Sequence, residues 1–302
     1  MNRFMIGQWG SFDYKKYERD FMPEFYGIEA CLFGDESDTA HLVKEATEVG
    51  FLIGVHFPLR AGISPLRDAP FLSNDDAVRE HAYDLVQQEL EYVAAIKPAY
   101  VLFHYPKLVI LDNRVDWKPW RFADSSEYEF ENDYALEELK MRSKQLLTWL
   151  SGKAREYQFT AVLEFDALNR YVYEDDFLDQ LLEEHKEIKL CLDTARLHLQ
   201  DWIDPNFDSV AIVKRFAKYA EIIHLSNVQI SADNVILKSR YPVLPSQSTS
   251  DGWAPTEQYL STIRHENDRV KVMFEHNSTL VTDEELLDCY KWVNQILSEN
   301  ND

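Results

Sequence analysis

The amino-acid sequence predicts an α/β protein, a single-domain (β/α)8 TIM barrel that comprises residues 1–302. Two observations support this fold class. Eight short apolar segments typical of β-strands alternate with helical segments along almost the whole chain, and such alternation is typical of parallel β/α units. The strands are also continuously apolar up to their polar ends, which is typical of a sheet that helices cover on both faces.

The predicted elements follow one another in regular order. The strands span residues 4–9, 26–33, 51–59, 99–105, 160–166, 188–193, 221–226 and 270–276. Apolar residues recur at three- and four-residue spacing between them, which predicts helices at residues 39–49, 75–96, 133–157, 175–185, 207–219, 256–265 and 283–299. Eight such units close a barrel, whereas a doubly wound sheet usually has fewer strands and often a glycine-rich fingerprint, which this sequence lacks.

Two of the loops that follow strands are long, at about residues 106–132 and 228–255. Loops of more than about 15 residues are usually lids, binding loops or disordered segments. These loops contain aromatic residues, among them Trp117 and Trp253, which argues against disorder. Two interpretations stay open: Trp117 and Trp253 bind the substrate, or the loops form a packing flap or the contact of a homo-oligomer.

The charge balance excludes some classes of partner. The chain has 31 basic and 53 acidic residues, and its formal net charge is −22. Such a surplus of acids repels the phosphate backbone of nucleic acids, so we expect no nucleic-acid partner. No apolar run approaches the roughly 20 residues of a membrane-spanning helix, and no signal peptide is recognisable. We therefore expect no membrane partner and a cytoplasmic location.

The three cysteines show no spacing typical of a metal site. Cys31, Cys191 and Cys289 are odd in number, lack a C-x-x-C motif and have apolar neighbours. We therefore predict buried, unreactive thiols rather than disulfides or thiolate ligands.

Residues able to bind a metal or transfer a proton stand at the ends of the predicted strands. They are His56, His104, Glu164, Asp193, His224 and Glu275. The carboxyl ends of barrel strands open onto one face, so these side chains should converge there. Carboxylates and imidazole suit Mn²⁺, Mg²⁺, Co²⁺ or Zn²⁺, and converging carboxylates would repel one another without a cation. Any one of these acids alone could instead be a helix cap or an ion-pair partner.

The order and contexts of these residues resemble the xylose isomerase-like TIM-barrel superfamily, which includes sugar phosphate isomerases and epimerases and the second family of apurinic endonucleases. The most specific match is the LDT of LCLDT at Asp193, and IIHLS at His224 also matches. The resemblance covers nearly the whole chain. It implies one divalent ion bound by Glu164, Asp193, His224 and Glu275. It also implies that Glu164 and Glu275 are catalytic and transfer a proton through an enediolate.

Three further residues leave alternatives open. His56 in VHFP and His104 in FHYP resemble the histidines that bind a second zinc in the endonuclease branch, so they either bind a second metal or contact substrate hydroxyls. Arg196 stands where that branch has a histidine that binds a third zinc, so we do not expect a three-metal nuclease. Its guanidinium either binds a phosphate or carboxylate of the substrate or forms an ion pair with Asp166 or Glu164.

The sequence thus favours a metal-dependent isomerase or epimerase that acts on a sugar, a sugar phosphate or a polyol. Its partner would be a small carbohydrate, and its cofactor one divalent metal ion. Two alternatives remain: a dinuclear metal phosphoesterase that acts on a small phosphate, and a non-catalytic barrel of the same superfamily.

Overall fold

The structure, a computed structural model that describes residues 1–63 and 68–298, is a closed barrel of eight parallel strands and confirms the predicted fold. The strands are β1 (Phe4–Trp9), β2 (Gly27–Cys31), β3 (Leu52–His56), β4 (Tyr100–Tyr105), β5 (Thr160–Phe165), β6 (Ile188–Asp193), β7 (Ala220–Leu225) and β8 (Lys271–Phe274). Pairing of β1 with β8, with Phe4 opposite Val272, closes the barrel. Apart from β7, which begins one residue early, each strand lies within its predicted range.

Helices cover the outside of the barrel. They are α1 (Tyr14–Asp20), α2 (Glu36–Val49), α3 (Asp76–Val93), α4 (Leu136–Tyr157), α5 (Arg170–Tyr173), α6 (Phe177–Glu184), α7 (Thr194–Ile203), α8 (Ser209–Phe216), α9 (Thr256–Glu266) and α10 (Asp283–Ser298). The sequence did not predict α1, α5 and α7, which have 7, 4 and 10 residues. The predicted end of the last helix, at residue 299, lies outside the described residues.

One glycine shapes the interior of the barrel beneath the site. A Cβ atom at Gly54 on β3 would lie 2.2 Å from the ring of Tyr100 on β4, so no other residue fits there without movement of that ring. Tyr100 therefore fills the barrel interior, where it packs with Met5, Leu102 and other buried apolar residues. Its position determines where its hydroxyl group points, which matters for the site described below.

Both long loops contain small sheets of their own. In the first, Val109–Leu111 pairs in parallel with Tyr128–Phe130. In the second, Ile236–Tyr241 pairs in antiparallel with Asn227–Ile230. Both loops contribute side chains to a cavity at the carboxyl ends of the barrel strands.

Two further expectations concern the cysteines and the membrane. Cys31, Cys191 and Cys289 are buried and form no disulfide, as predicted. Within the described ranges, no helix is long and apolar enough to cross a membrane.

Candidate metal and acid-base site

The register of the strands brings the predicted site residues together. His104 on β4 pairs in register with Glu164 on β5, and Asp193 on β6 pairs in register with His224 on β7. Glu275 follows the last residue of β8. All but Glu275 are buried, and the Glu275 side chain is 17% exposed. The convergence predicted from the strand ends is therefore present.

Glu164 lies at the centre of this group. Its Oε1 atom is 3.2 Å from His224 Nδ1, and its Oε2 atom is 2.8 Å from His104 Nε2 and 3.2 Å from His56 Nε2. Burial opposes ionisation of this carboxyl group, but the facing His224, His104 and Arg196 lower its pKa well below the ordinary value. Glu164 is therefore a carboxylate at neutral pH, despite its burial.

A buried carboxylate that sequence reasoning missed fixes the orientation of His224. Glu29 on β2 is 1% exposed, and its Oε2 atom lies 3.1 Å from His224 Nε2. The hydroxyl group of Tyr100 donates a 2.6 Å hydrogen bond to the same oxygen. Carboxylates in this position orient metal-binding histidines and set which nitrogen faces the metal. Here the nitrogen left facing Glu164 is Nδ1.

The Nδ1 atom of His224 is buried and has no hydrogen-bond partner among the described residues. It lies 3.2 Å from Glu164 Oε1 and 3.8 Å from Glu275 Oε2. Although burial disfavours the imidazolium, Cys191, Glu29 and Glu164 raise the pKa of His224 well above its ordinary value. The imidazolium carries a proton on each ring nitrogen. A cation that bound at Nδ1 would displace the proton on that nitrogen, as metals do when they bind histidine.

Asp193 links the site to helix α7. Its Oδ1 atom accepts hydrogen bonds from the backbone N–H groups of Ala195 (2.9 Å) and Arg196 (3.1 Å), which caps the helix. Burial and the nearby charge of Glu275 raise the pKa of Asp193 to about 7. One oxygen each of Glu164, Asp193 and Glu275 lies within 4.8 Å of the others. The neighbouring acids therefore oppose the ionisation of Asp193.

Arg196 forms the ion pairs that the sequence had left as one alternative. Its Nε atom lies 3.2 Å from Asp193 Oδ2 and 3.8 Å from Glu164 Oε1, and its Nη1 atom lies 3.2 Å from Asp166 Oδ1. Although burial opposes its charge, Glu164, Asp166 and Asp193 raise the pKa of the guanidinium. Arg196 is thus shared among three acids.

A second buried cation, Lys107, lies beside this group and was also missed. Its Nζ atom is 3.0 Å from Asp68, 2.9 Å from Glu127 and 3.3 Å from Asp166. Burial would raise the pKa of Asp166, but Lys107 and Arg196 lower it to about 2. The sequence named Asp166 only as a possible ion-pair partner of Arg196. Its position two residues after Glu164, on the same side of the chain, is the signal that could have placed it beside the site.

A cavity of about 340 Å³ opens above these residues, within the range of roughly 300–1,000 Å³ that is usual for small-molecule sites. Its lining includes Asp193 and Glu275 from the strand ends and Trp120 from the first long loop. The predicted Trp117 and Trp253 do not line this cavity. Trp117 donates a 3.0 Å hydrogen bond to the carbonyl oxygen of Asp112. Trp253 packs against Tyr241, with their ring centres 5.3 Å apart.

The residues around His224 fit a divalent cation. Metal–ligand distances of about 2.0–2.1 Å place neighbouring ligand atoms roughly 3–3.4 Å apart, and Glu164 Oε1 and His224 Nδ1 are 3.2 Å apart. The Nδ1 atom of His224, which has no hydrogen-bond partner among the described residues, offers a lone pair to such a cation. The facing carboxyl groups of Asp193 and Glu275 offer negative charge. Glu164, Asp193, His224 and Glu275 together are the candidate ligands.

The histidines on the other side of Glu164 are arranged differently. His56 has Phe57 O at 3.1 Å from Nδ1, and His104 has Asp68 Oδ1 at 2.8 Å from Nδ1. Both Nε2 atoms face Glu164 Oε2. These three residues also lie close enough to hold an ion, but their polar atoms already have partners.

Sequence comparison yields no relative, since no protein-family model and no curated protein matches the chain. Comparison with solved structures does. The chain is similar to a D-tagatose 3-epimerase-like protein, with a TM-score of 0.63, 12% identity and coverage of 98% of this chain and 100% of that chain. It is similar to 3-keto-D-glucoside 4-epimerase from E. coli, with a TM-score of 0.59, 11% identity and coverage of 98% and 100%.

A third similar structure is the IOLI protein with a bound zinc atom, with a TM-score of 0.62, 14% identity and coverage of 98% of this chain and 97% of that chain. A xylose isomerase domain protein from Salmonella typhimurium also matches, with a TM-score of 0.58, 15% identity and coverage of 99% and 98%. At these identities the likeness is one of fold. The chain shares the TIM-barrel fold of these solved structures, as the resemblance in sequence implied.

Proposed function

We propose that the protein is a divalent-metal-dependent epimerase or isomerase that acts on a sugar, a sugar phosphate or a polyol. The observation that carries the proposal is that two carboxylates, Glu164 and Glu275, face the unsatisfied Nδ1 atom of His224. The similar structures named as a 3-epimerase-like protein and a 4-epimerase support this class of reaction, and the one with a bound zinc atom supports a divalent metal.

Glu164, Asp193, His224 and Glu275 would hold the metal, which we expect to be Mn²⁺, Zn²⁺, Mg²⁺ or Co²⁺. When bound, such a cation polarises a carbonyl group and acidifies the neighbouring C–H bond. The chain itself supplies the proton transfer. Glu29 keeps the ring of His224 in place through its 3.1 Å contact with Nε2.

The two proposed acid-base residues differ in their access to the substrate. Glu275 is partly exposed and lines the cavity, so we assign it proton transfer on the cavity side of the reacting carbon. Glu164 is 1% exposed and is held in a fixed position by His56 and His104. We assign Glu164 proton transfer on the opposite side, at the bottom of the site.

Solvent exchange tests this proposal without knowledge of the product. The metal-loaded protein is incubated in D₂O with a panel of ketoses, inososes and their phosphates, and the loss of C–H signal is followed by NMR. We expect exchange on at least one substrate and a decrease of at least about 10²-fold in Glu164→Gln and Glu275→Gln, because a positioned acid or base contributes 10²–10⁴-fold.

Because both glutamates would also bind the metal, a third variant separates the two roles. Asp193→Asn removes a proposed ligand that has no role in proton transfer. At saturating metal it should recover exchange, whereas the two glutamine variants should not. Exchange that persists in both glutamine variants would assign the proton transfer to another residue.

One alternative has its own observation. His56, His104 and Glu164 could hold a second ion, which would favour a dinuclear phosphoesterase. Such an enzyme would bind two metals per chain and release phosphate from a small phosphate ester without C–H exchange. A protein with neither activity on any substrate, and with no metal after purification without chelator, would instead be a non-catalytic barrel.

A further inference from the structure

The cavity is unusually rich in basic residues for so acidic a chain. The chain has 31 basic and 53 acidic residues, but the cavity lining contains four of each. The basic residues are Lys107, Arg121, Arg196 and Arg240, and the acidic residues are Glu127, Asp166, Asp193 and Glu275. The lining thus lacks the excess of acids that the whole chain has, and the position of each basic residue decides whether it can bind an anion.

The two inner cations are already neutralised. Lys107 contacts three carboxylates at 2.9–3.3 Å, and Arg196 contacts three at 3.2–3.8 Å. An anionic substrate would have to displace buried carboxylates from either residue, at a large cost in free energy. Neither inner cation is therefore suited to hold a substrate anion.

The two outer cations are different. Arg121 is exposed. Its side chain forms no ion pair or hydrogen bond within the part of the chain that the structure describes. Arg240 is 60% exposed, and its only ion pair among the described residues is a long one, 3.7 Å from Glu275 Oε1. Both guanidinium groups therefore have donors to offer a ligand in the same cavity.

The backbone holds Arg240 in an unfavourable conformation next to the proposed catalytic residue. Its φ angle is +48°, a region that non-glycine residues rarely adopt and that is often retained at functional sites. Its carbonyl oxygen accepts a 2.7 Å hydrogen bond from the N–H group of Asn277, two residues after Glu275. The side chain also lies over the ring of Trp9, 5.8 Å from its centre.

Arg121 is flanked by apolar surfaces that suit a sugar. Trp120 and Phe122, on either side of it in the sequence, also line the cavity. Trp120 is held in place by a 3.2 Å hydrogen bond from its Nε1 atom to Asp166 Oδ1. The first long loop thus presents an aromatic wall and a free guanidinium at the same edge of the cavity.

We propose that Arg121 and Arg240 bind an anionic group of the substrate, a phosphate or a carboxylate, while its reacting carbon lies near Glu275. This inference rests on the proposed function and narrows it to acidic sugars, that is, sugar phosphates or sugar acids. Guanidinium groups bind both anions through paired N–H donors. The cavity then has a charged mouth for the anion and a carboxylate-lined floor for the reaction.

Calorimetric titration tests this inference independently of turnover. The manganese-loaded full chain is titrated with D-fructose, D-fructose 6-phosphate and D-fructuronate. We expect at least one of the two anions to bind ten or more times as tightly as D-fructose. The double variant Arg121→Gln/Arg240→Gln should lose this preference, whereas Arg155→Gln should keep it, because Arg155 is an exposed arginine, paired with Glu187, that does not line the cavity.

Each outcome has a clear meaning. A preference for the phosphate alone identifies sugar phosphates, and a preference for both anions identifies a site that also accepts carboxylates. The inference is overturned if neither anion binds more tightly than D-fructose or if the double variant keeps the preference. Arginine-dependent anion binding in a protein that shows no C–H exchange would support this inference while contradicting the proposed epimerase.

Discussion

The imidazoles on the two sides of Glu164 face the same carboxylate but differ in their remaining contacts. On the Oε2 side, His56 and His104 have partners for both ring nitrogens: Phe57 O and Asp68 on Nδ1, and Glu164 on Nε2. On the Oε1 side, His224 has Glu29 on Nε2, and its Nδ1 atom has no hydrogen bond.

This difference indicates what each side is built for. Buried polar atoms are nearly always hydrogen-bonded, and an exception often points to a missing ion or to catalysis. The Oε2 side is a complete hydrogen-bonded network, whereas on the Oε1 side one buried nitrogen, His224 Nδ1, has no hydrogen-bond partner among the described residues. We therefore place the single proposed metal at His224, and we interpret His56 and His104 as groups that position Glu164.

The largest effect that would test this comparison is loss of the metal. We expect the protein, purified without chelator, to hold one divalent ion per chain by elemental analysis. His224→Asn should weaken metal binding by more than about 100-fold, because it removes a direct ligand, whereas loss of an outer partner of a ligand typically costs 10–100-fold. His56→Asn, the matched change on the other side of Glu164, should retain one ion per chain.

Two results would contradict the assignment. Two ions in the wild-type protein and one in His56→Asn would show that the Oε2 side is also a metal site. Equal metal content in His224→Asn and the wild type would remove His224 from the site.

A smaller effect is expected from the carboxylate behind His224. Glu29→Gln keeps the size of the side chain but removes the charge that faces Nε2. Loss of such a partner typically costs 10–100-fold in metal affinity, and we expect a decrease in that range by calorimetry.

Glu89→Gln provides the control for Glu29→Gln. It alters another buried carboxylate, which pairs with Arg60 outside the site. It should leave metal affinity unchanged. Equal losses in the two variants would show that the effect of Glu29 is one of general stability.

The repulsion around Asp193 predicts how the stability of the metal-free protein depends on pH. The pKa of Asp193 in the folded chain is about 7, above the value of about 3.9 for an unfolded chain. The folded state therefore binds this proton more tightly, and its ionisation lowers stability as the pH rises between these two values.

Asp193→Asn should therefore stabilise the chelated protein more at about pH 8 than at about pH 5, by on the order of 2 kcal/mol. Asparagine can still cap helix α7, so the difference isolates the charge. Urea unfolding at the two pH values measures it. A pH-independent difference would mean that Asp193 is not strained by the neighbouring carboxylates, and excess Mn²⁺ should reverse the preference in favour of the wild type.

The sequence predicted the strand-end residues well, because their location depends only on where apolar runs end and on the parallel arrangement of the strands. It missed Glu29 because this residue lies within an apolar strand, and its inward orientation depends on Tyr100 and on the space left by Gly54. The direction of a single mid-strand acid cannot be read without the closed barrel.

The loops limited prediction for a different reason. Trp117 and Trp120 are three residues apart, and only Trp120 lines the cavity. Which of the two faces it depends on the loop backbone, which the sequence pattern does not determine. Arg196 likewise left two alternatives, because acids from two strands, Glu164, Asp166 and Asp193, together determine where its long side chain lies.

The smallest effect we expect is at Tyr100, which is one contact further from the metal than Glu29. Tyr100→Phe removes the 2.6 Å hydrogen bond to Glu29 Oε2 but leaves the carboxylate against His224. We expect a loss of about 1.5–3 kcal/mol in stability, as for a hydrogen bond to a charged group. Metal affinity should decrease by less than about tenfold, below the range for direct partners of a ligand.

The matched control for Tyr100 is Tyr105→Phe. Tyr105 is also fully buried and forms a 2.8 Å hydrogen bond, but its partner is Ser143 on helix α4, outside the barrel. The Tyr105→Phe variant should lose about 1 kcal/mol of stability and keep its metal affinity unchanged. If Tyr100→Phe and Tyr105→Phe have the same effect on metal affinity, the chain of contacts from Tyr100 through Glu29 to His224 does not influence the site. If only Tyr100→Phe weakens binding, the barrel interior contributes to the orientation of the ligand at its mouth.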